Sequence, residues 1–428
     1  MNEFDRIIGY SDVKRELARI ADSLKNPEVY QALGAAPPRG LLLHGEPGVG
    51  KSLMAQCLMD ASGRKAFVCR KVEPGGEFVR TIRETFTRAA EQAPSIVFLD
   101  DMDKFANDDH GHCDSEEYVT VQSCMDEVRG REVFTLATAN DIDKLPDSLL
   151  RAGRFDRVIE VMAPEGQDAV EIIRHYLSSK KLTGDSDPET IADVLAGRSC
   201  AVLETVVNEA GLLAGYRRAE HITASDLMEA ALRCEYEVDP GSHTPVDLGQ
   251  DSRAARLVIH EAGHAAVSEL LSPGSVKLVI ARCEGRTPVA LTKAGSMGDC
   301  WHLGLMEEKI MVALAGRAAT ELHFGSFDTG SVRDLKQAFE TTRELLQDHC
   351  FAGYDLYSYY RWEDSAALAA RQENAVAADV ARYDRMVREL LVKNRGFLDA
   401  VAQALAEKGV LTTADIRALR AKCGLMAG

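Results

Sequence analysis

Short, almost wholly apolar runs alternate with longer amphipathic stretches in the first part of the chain. Such runs are typical of parallel strands that are buried on both faces of a sheet, and the stretches between them favour connecting helices. The pattern therefore predicts an α/β unit with buried strands at "GLLLHG", "AFVCRKV", "SIVFLDD" and "VFTLATAN".

The spacing of apolar positions changes near residue 166, where the strand-like runs stop and helical spacing begins. A later stretch combines proline, glycine and acidic residues with few apolar positions, which is typical of a linker. Helical patterns then continue to the end of the chain. The predicted organisation is an α/β subdomain at 1–163, a helical subdomain at 164–235, a linker at 236–252 and a mostly α-helical domain at 253–428.

Composition narrows the class of protein. A chain of 428 residues exceeds what one hydrophobic core usually organises, and its apolar fraction of 46% is typical of packed globular domains. The net charge of −17 leaves no basic surface for a phosphate backbone, so we expect no nucleic-acid partner. No run approaches the roughly 18 apolar residues of a membrane span, and the first residues do not resemble a signal peptide. The sequence therefore predicts a soluble, cytoplasmic protein.

The segment "GEPGVGKS" at 45–52 has the spacing G-x-x-x-x-G-K-S and lies between a predicted strand and a predicted helix. Glycines in this motif let backbone N–H groups surround phosphates, the lysine adds positive charge, and the serine hydroxyl can bind Mg²⁺. A glycine-rich turn without function is the alternative. We predict a nucleotide site formed by Gly45, Glu46, Pro47, Gly48, Val49, Gly50, Lys51 and Ser52.

Polar residues follow two other predicted strands. "SIVFLDD" ends in Asp100 and Asp101, and "LATAN" ends in Asn140. Ligands of open α/β sheets bind at the carboxyl ends of the strands, so we expect these residues beside the phosphates. Asp100 would face the magnesium ion, and Asp101 would face the attacking water.

The segment "VIHEAGHAAVSELL" at 258–271 places His260 and His264 four positions apart, with Glu261 directly after the first. Residues i and i+4 share one face of a helix, so both histidines can bind one Zn²⁺ while Glu261 lies beside the reacting water. This spacing also arises by chance in structural helices. On the motif alone, that alternative stays open.

Together, these motifs resemble the AAA+ ATPases and, among them, the zinc-dependent FtsH-type proteases. The segments "SLLRAGRFDRVIEV" and "LAGRAATELHFGSFDTGSVRDLKQA" carry the resemblance. It extends from "IIGYSDVKREL" to at least residue 345, without the transmembrane segments with which family members usually begin. A membrane anchor on a removed segment or on a separate partner chain therefore stays open.

The resemblance implies a complete zinc site. By this resemblance, Asp334 is the third ligand beside His260 and His264. Three protein ligands leave a fourth position for water, as a catalytic zinc site requires. Zinc lowers the pKa of that water to about 7, and Glu261 would take its proton during attack on a peptide carbonyl.

The resemblance also implies roles around the nucleotide. Arg154 and Arg157 would reach the nucleotide of a neighbouring subunit, where a guanidinium stabilises charge on the transferred phosphoryl group. Without the resemblance, both would be assigned to a solvated charged turn. Asn140 would help to orient water. His175 matches a histidine near the nucleotide in this family, and a packed helical histidine is the alternative.

Three segments depart from the family pattern. Asp101 stands where the family usually has glutamate, and its carboxylate is one methylene shorter. The family's aromatic pore loop corresponds to the shorter "KVEPGGEFV", in which Phe78 is the only aromatic residue. A charged segment at 107–117 replaces the family's glycine-rich inner loop. It could bind a metal through His110, His112 and Cys113, and a solvated loop is the alternative.

The sequence predicts an ATP-dependent zinc endopeptidase that acts on protein substrates as a ring-shaped homo-hexamer. One Zn²⁺ per chain and ATP with Mg²⁺ are the expected cofactors. The expected fold is a P-loop AAA+ module, with a parallel sheet and a helical lid, followed by a mostly α-helical zinc metalloprotease domain. The alternatives are a zinc peptidase with a slow or assembly-only ATPase and weak unfolding ability, or a non-proteolytic AAA+ remodelling or scaffold protein.

Overall fold

A computed structural model of the chain describes residues 3–71, 77–106, 115–183, 187–238, 243–282, 289–294, 302–327, 329–351, 353 and 366–425. His110, His112 and Cys113 of the charged segment lie outside the described residues. The chain divides into two compact units. The first comprises Met1–Pro188 and Leu195–Thr223, and the second comprises Glu189–Val194 and Ala224–Gly428.

The first unit is built on a five-stranded parallel sheet. Its strands are β1 (Gly40–His44), β2 (Lys65–Arg70), β3 (Ser95–Asp100), β4 (Val133–Ala139) and β5 (Arg157–Glu160). They lie in the order β2-β3-β4-β1-β5. β3 and β4 are buried along their whole length because neighbouring strands and helices cover them. The four predicted strands are confirmed, whereas β5 is mostly exposed and its sequence "RVIE" contains no apolar run.

Helices cover this sheet and form the rest of the first unit. They are α1 (Ser11–Lys25), α2 (Pro27–Gln31), α3 (Lys51–Ser62), α4 (Glu77–Glu91), α5 (Glu116–Glu127), α6 (Gly166–Leu177) and α8 (Cys200–Tyr216). β1, β4 and β3 are neighbours in the sheet, so the segments that follow these three strands meet at one edge. That edge is where the sequence predicts the nucleotide.

Phe78 lies in the hydrophobic core of the first unit. It belongs to α4, and only 6% of it is exposed. Its ring packs edge-on against the ring of Phe105, with the centroids 4.8 Å apart. The only aromatic residue of the shortened loop segment is therefore a packing residue in this structure.

The second unit is mostly helical, as predicted, and also contains a small antiparallel sheet. Its strands are β6 (Val276–Arg282), β7 (Val289–Ala294) and β8 (Val410–Thr412), in the order β7-β6-β8. Its helices are α7 (Pro188–Val194), α9 (Ala224–Tyr236), α10 (Arg253–Leu271), α11 (Leu303–Phe324), α12 (Val332–Arg343), α13 (Ala366–Lys393), α14 (Arg395–Lys408) and α15 (Thr413–Lys422). Pro188, the first residue of α7, is assigned to the first unit.

Two helices of the predicted helical subdomain, α7 and α9, fall in the second unit. The domain boundaries drawn from the sequence, after residues 163, 235 and 252, stay predictions. Within the described part of the chain, no helix has both the length and the apolar character that crossing a bilayer requires.

Helices α10 and α11 pack closely against each other in the second unit. A Cβ atom at Gly263 would lie 2.6 Å from the carbonyl oxygen of Ala315 and 2.6 Å from the Cβ of Ala319. Real Cβ atoms do not approach other atoms this closely, so only glycine fits at this position of α10. The small residues on both helices therefore set the distance between them.

We expect Gly263→Val to lower the free energy of unfolding of the second unit by about 1–3 kcal/mol, because the added atoms would force α10 and α11 apart. Urea unfolding followed by circular dichroism measures the change. Gly396→Ala in α14 is the matched control, since a Cβ there meets nothing within 4 Å. Equal stability of the Gly263→Val protein and the parent would contradict the packing argument.

Candidate active site

Three side chains of the second unit converge on one point, namely His260 and His264 of α10 and Asp334 of α12. Asp334 Oδ2 lies 3.0 Å from His260 Nε2 and 3.7 Å from His264 Nε2, and the two ring nitrogens are 3.0 Å apart. A tetrahedral zinc ion with ligands at about 2.1 Å would hold those atoms roughly 3.4 Å apart, so the set fits such an ion. Within the described residues, no other group of His, Cys, Asp and Glu side chains converges in this way.

Helix α11 fixes the orientation of the two rings. The Nδ1–H of His264 donates to the carbonyl oxygen of Val312 at 2.7 Å, which turns Nε2 towards the other two ligand atoms. Gly316, one turn further along α11, lies against both rings. A Cβ atom there would lie 2.6 Å from His260 Cε1 and 2.6 Å from His264 Nε2. The missing side chain of Gly316 therefore makes room for the ligand set.

Burial and hydrogen bonding shift the pKa values of Asp334 and His264 in opposite directions. Burial by itself raises the pKa of Asp334, but hydrogen bonds from His260 and His264 outweigh it, and this pKa lies well below its usual value. Burial likewise lowers the pKa of His264, yet the hydrogen bond to Asp334 and the charge of Glu261 together raise it above its usual value. Asp334 is therefore ionised at neutral pH, which is the state that binds a cation.

Glu261 lies beside the ligand set on α10, and it is 5% exposed. Its Oε2 accepts a hydrogen bond of 2.7 Å from the hydroxyl of Thr292 on β7. This contact holds the carboxylate in one orientation. The sequence analysis did not find Thr292, because no motif marks a threonine 31 positions away in a strand of a small sheet.

The P-loop connects β1 to α3. Gly45 and Gly50 have φ angles of 143° and 101°, which favour glycine. The Lys51 ammonium donates to the carbonyl oxygens of Gly45 and Glu46 at 2.7 and 2.8 Å and to Asn140 Oδ1 at 2.9 Å. Burial lowers the pKa of Lys51 below its usual value. The structure therefore brings the P-loop lysine together with the asparagine that follows β4.

The acids at the end of β3 lie at the same edge of the sheet. Asp100 is 2% exposed, and its Oδ1 accepts a hydrogen bond of 2.8 Å from the Thr138 hydroxyl. Asp101 has a positive φ of 55°, and its Oδ1 lies 3.4 Å from Asn140 Nδ2. Its Oδ2 accepts a hydrogen bond of 2.8 Å from Lys104. Both acids thus have fixed side chains beside the residues of the P-loop site.

A cavity of about 210 Å³ adjoins the P-loop in the first unit. His175 of α6 is one of its lining residues, and Ser52 lies close by in the first turn of α3. Most of the lining is apolar or aromatic, which suits a flat, mostly apolar ligand group such as a nucleobase. Further lining residues are Ile7, Tyr10, Val49, Tyr176 and Cys200.

Arg154 and Arg157 lie before and at the start of β5. Arg154 Nη1 donates to the carbonyl oxygen of Ser148 at 2.6 Å, and its Nη2 lies 2.9 Å from Asp126 Oδ2. These contacts hold Arg154 against α5. The side chain of Arg157 is 60% exposed, with Nε 3.8 Å from Glu16 Oε1. Their action on a neighbouring subunit stays a prediction.

The two units together define a class of protein, a P-loop ATPase module joined to a helical metallopeptidase unit with two histidines and one aspartate. Comparison with known families agrees with both halves. Residues 41–163 match the ATPase family associated with various cellular activities (AAA). Residues 250–419 match peptidase family M41.

Individual relatives match nearly the whole chain. It is 32% identical to ATP-dependent zinc metalloprotease FtsH 2 of Symbiobacterium thermophilum, over 97% of this chain and 74% of that protein. It is 31% identical to the FtsH metalloprotease of Thermus thermophilus, over 97% of this chain and 70% of that protein. For the FtsH metalloprotease of Streptobacillus moniliformis the identity is 30%, and the chain spans 64% of that protein's length. The chain belongs to the FtsH-type family of AAA+ zinc metalloproteases.

We expect Gly316→Ala to weaken zinc binding roughly tenfold or more, because the added Cβ would displace the two histidine rings that it meets. Competition with a chelator of known affinity measures the dissociation constant. Gly396→Ala adds the same methyl group at an open position of the same unit and should leave zinc affinity unchanged. Zinc affinity equal to that of the parent in the Gly316→Ala protein would refute this role of the glycine.

Proposed function

We propose that this protein is an ATP-dependent zinc endopeptidase, in which ATP hydrolysis by the AAA unit is coupled to peptide-bond hydrolysis in the second unit. Its cofactors are Zn²⁺ and ATP with Mg²⁺. The observation that carries this proposal is the convergence of His260, His264 and Asp334 beside Glu261, in a chain that also has a P-loop. Family membership supports both activities.

In the peptidase unit, His260, His264 and Asp334 would hold the metal through two ring nitrogens and one carboxylate oxygen. Zinc, when bound, lowers the pKa of a water molecule at the site and polarises the peptide carbonyl group. Glu261 takes the proton of the water as general base and then delivers it to the leaving amine. Thr292 keeps the Glu261 carboxylate in place through its hydrogen bond of 2.7 Å.

In the AAA unit, the backbone of the P-loop and Lys51 would bind the phosphates, and Ser52 and Asp100 would hold the magnesium ion. Asp101 orients the attacking water together with Asn140, to which its carboxylate is already close. His175 contacts the nucleotide from the cavity beside the P-loop. The contacts at the edge of the sheet and the motifs support these proposed roles.

The working form is a homo-hexamer that acts on protein substrates. Arg157 is the first residue of the exposed edge strand β5, and Arg154 lies three residues before it. Each would stabilise charge on the nucleotide of the next subunit. Family membership and the position of these arginines support this arrangement. ATP hydrolysis then depends on contact between subunits.

Two substitutions separate the general base from the metal ligands. Glu261→Gln should abolish casein cleavage while most of the zinc remains, because the residue accepts a proton and does not bind the metal. His264→Ala should lose both the zinc and the cleavage. Metal content and casein hydrolysis are measured on the same preparations, with and without ATP. Full casein cleavage by either protein, or no zinc in parent protein purified without chelator, would refute the proposed site.

Mixed assemblies test whether Arg154 acts between subunits. Lys51→Ala chains lack the phosphate-binding lysine, and Arg154→Ala chains lack the guanidinium, so each alone should lose at least 90% of the ATPase rate, on the order of the loss expected for removing such a group. Mixing the two should restore part of the rate at interfaces that pair an intact P-loop with an intact arginine. ATP turnover is measured on mixed assemblies whose composition has been verified.

Asp126→Asn provides the matched control, because it removes the negative charge that pairs with Arg154 but keeps the arginine. This variant should retain most of the ATPase rate. If Asp126→Asn is as inactive as Arg154→Ala, the arginine acts through local structure. No recovery in the mixed assemblies, or an active monomer, would likewise count against action between subunits.

A further inference from the structure

Arg70 occupies a distinctive position next to the proposed magnesium site. It is the last residue of β2 and lies directly opposite Asp100 in the register between β2 and β3. Its Nε donates to Asp100 Oδ2 at 2.8 Å, and its Nη2 donates to the same oxygen. The other oxygen, Oδ1, accepts the hydrogen bond from Thr138. Both oxygens of Asp100 therefore have partners within the protein.

A carboxylate whose two oxygens both accept hydrogen bonds within the protein binds a divalent cation less readily than a free carboxylate. Mg²⁺ binds oxygen atoms directly or through its own water molecules, and it holds an almost ideal octahedral geometry. The guanidinium competes with the cation for Oδ2, and its positive charge repels the ion. For magnesium to bind at Asp100, either Oδ2 takes no part in binding the ion, or the Arg70 side chain leaves Oδ2.

The two partners differ in how easily they can move. The side chain of Asp100 is 2% exposed, whereas that of Arg70 is 61% exposed. An exposed arginine can turn into solvent, where water replaces its hydrogen bonds, and an arriving cation then compensates the charge of the buried carboxylate. The buried carboxylate stays fixed at the end of β3. Arg70 is therefore the mobile partner.

We propose that Arg70 is a latch on the nucleotide site. It neutralises Asp100 while the magnesium position is empty, and binding of a magnesium nucleotide displaces it from Oδ2. This inference rests on the proposed magnesium-binding role of Asp100. The latch lowers the affinity for magnesium nucleotides and leaves the magnesium-independent part of nucleotide binding largely unchanged.

Lys104 provides a comparison within the same site. It makes a similar contact with the neighbouring acid, 2.8 Å from Asp101 Oδ2, and its side chain is 62% exposed. The proposed role of Asp101 is to orient water, and magnesium binding does not depend on its carboxylate. Replacing Lys104 removes one positive charge close to the magnesium site, as replacing Arg70 does, but it frees no oxygen of Asp100. The two variants thus separate direct contact from a general effect of charge.

The test is a titration of the full-length protein with a fluorescent ADP analogue, in Mg²⁺ and in EDTA. The measured quantity is the ratio of the affinity with Mg²⁺ to the affinity without it. Arg70→Met should raise this ratio roughly three- to tenfold, since no guanidinium then competes with the cation for Asp100 Oδ2. Lys104→Met should change it less than about twofold. Arg70→Lys, which keeps the charge and loses the paired contacts, should fall between Arg70→Met and the parent.

An unchanged or lower ratio in Arg70→Met would overturn the latch. Arg70→Gln repeats the measurement with a polar side chain if the methionine variant does not fold. Asp100→Asn separates this proposal from the one on which it rests, because it should remove most of the magnesium dependence. If Asp100→Asn loses the dependence and Arg70→Met matches the parent, only the latch fails. If Asp100→Asn keeps the ratio of the parent, both the magnesium role of Asp100 and the latch fail.

Discussion

The close approach of α10 to α11 is the constraint on which the peptidase unit depends. At Gly263 the backbone of α11 leaves no space for a Cβ atom, and at Gly316 the two histidine rings leave none. The same approach brings the carbonyl oxygen of Val312 within 2.7 Å of His264 Nδ1. The packing of α10 against α11 therefore determines the geometry of the histidine ligands, because any change that separates these helices also moves the two rings.

In the ATPase unit, the stability of the candidate site depends on how its many charged and polar side chains are paired. The order of the strands gathers a lysine, an asparagine and two acids at one edge of the sheet. Each charged group then finds an internal partner: Lys51 contacts backbone oxygens, Arg70 contacts Asp100, and Lys104 contacts Asp101. Ligand binding at such a site exchanges one set of polar contacts for another, so a small difference between the two sets decides the affinity.

Local patterns account for what the sequence could predict. The buried strands follow from short apolar runs, the P-loop from a short motif, and the two histidines on one helix face from the period of 3.6 residues. The contact of Thr292 with Glu261 and the space left by Gly316 depend on distant segments, which no local period records. The strand β5 was missed because it is short and polar, and β8 because it has only three residues. The apolar run of β6, "VKLVIAR", was missed because it lies among helical patterns and was included in the mostly helical domain. The sequence alone could not show that Phe78 is buried.

The ligand set has a consequence for folding as well as for chemistry. Its histidines lie on α10 and its aspartate on α12, so a bound ion cross-links two helices that are distant in sequence. An ion that binds only the native arrangement stabilises it by mass action, and the strength of this effect follows the free metal concentration. Loss of the ion would therefore lower the stability of the peptidase unit, and a metal-free chain would open more readily to proteases.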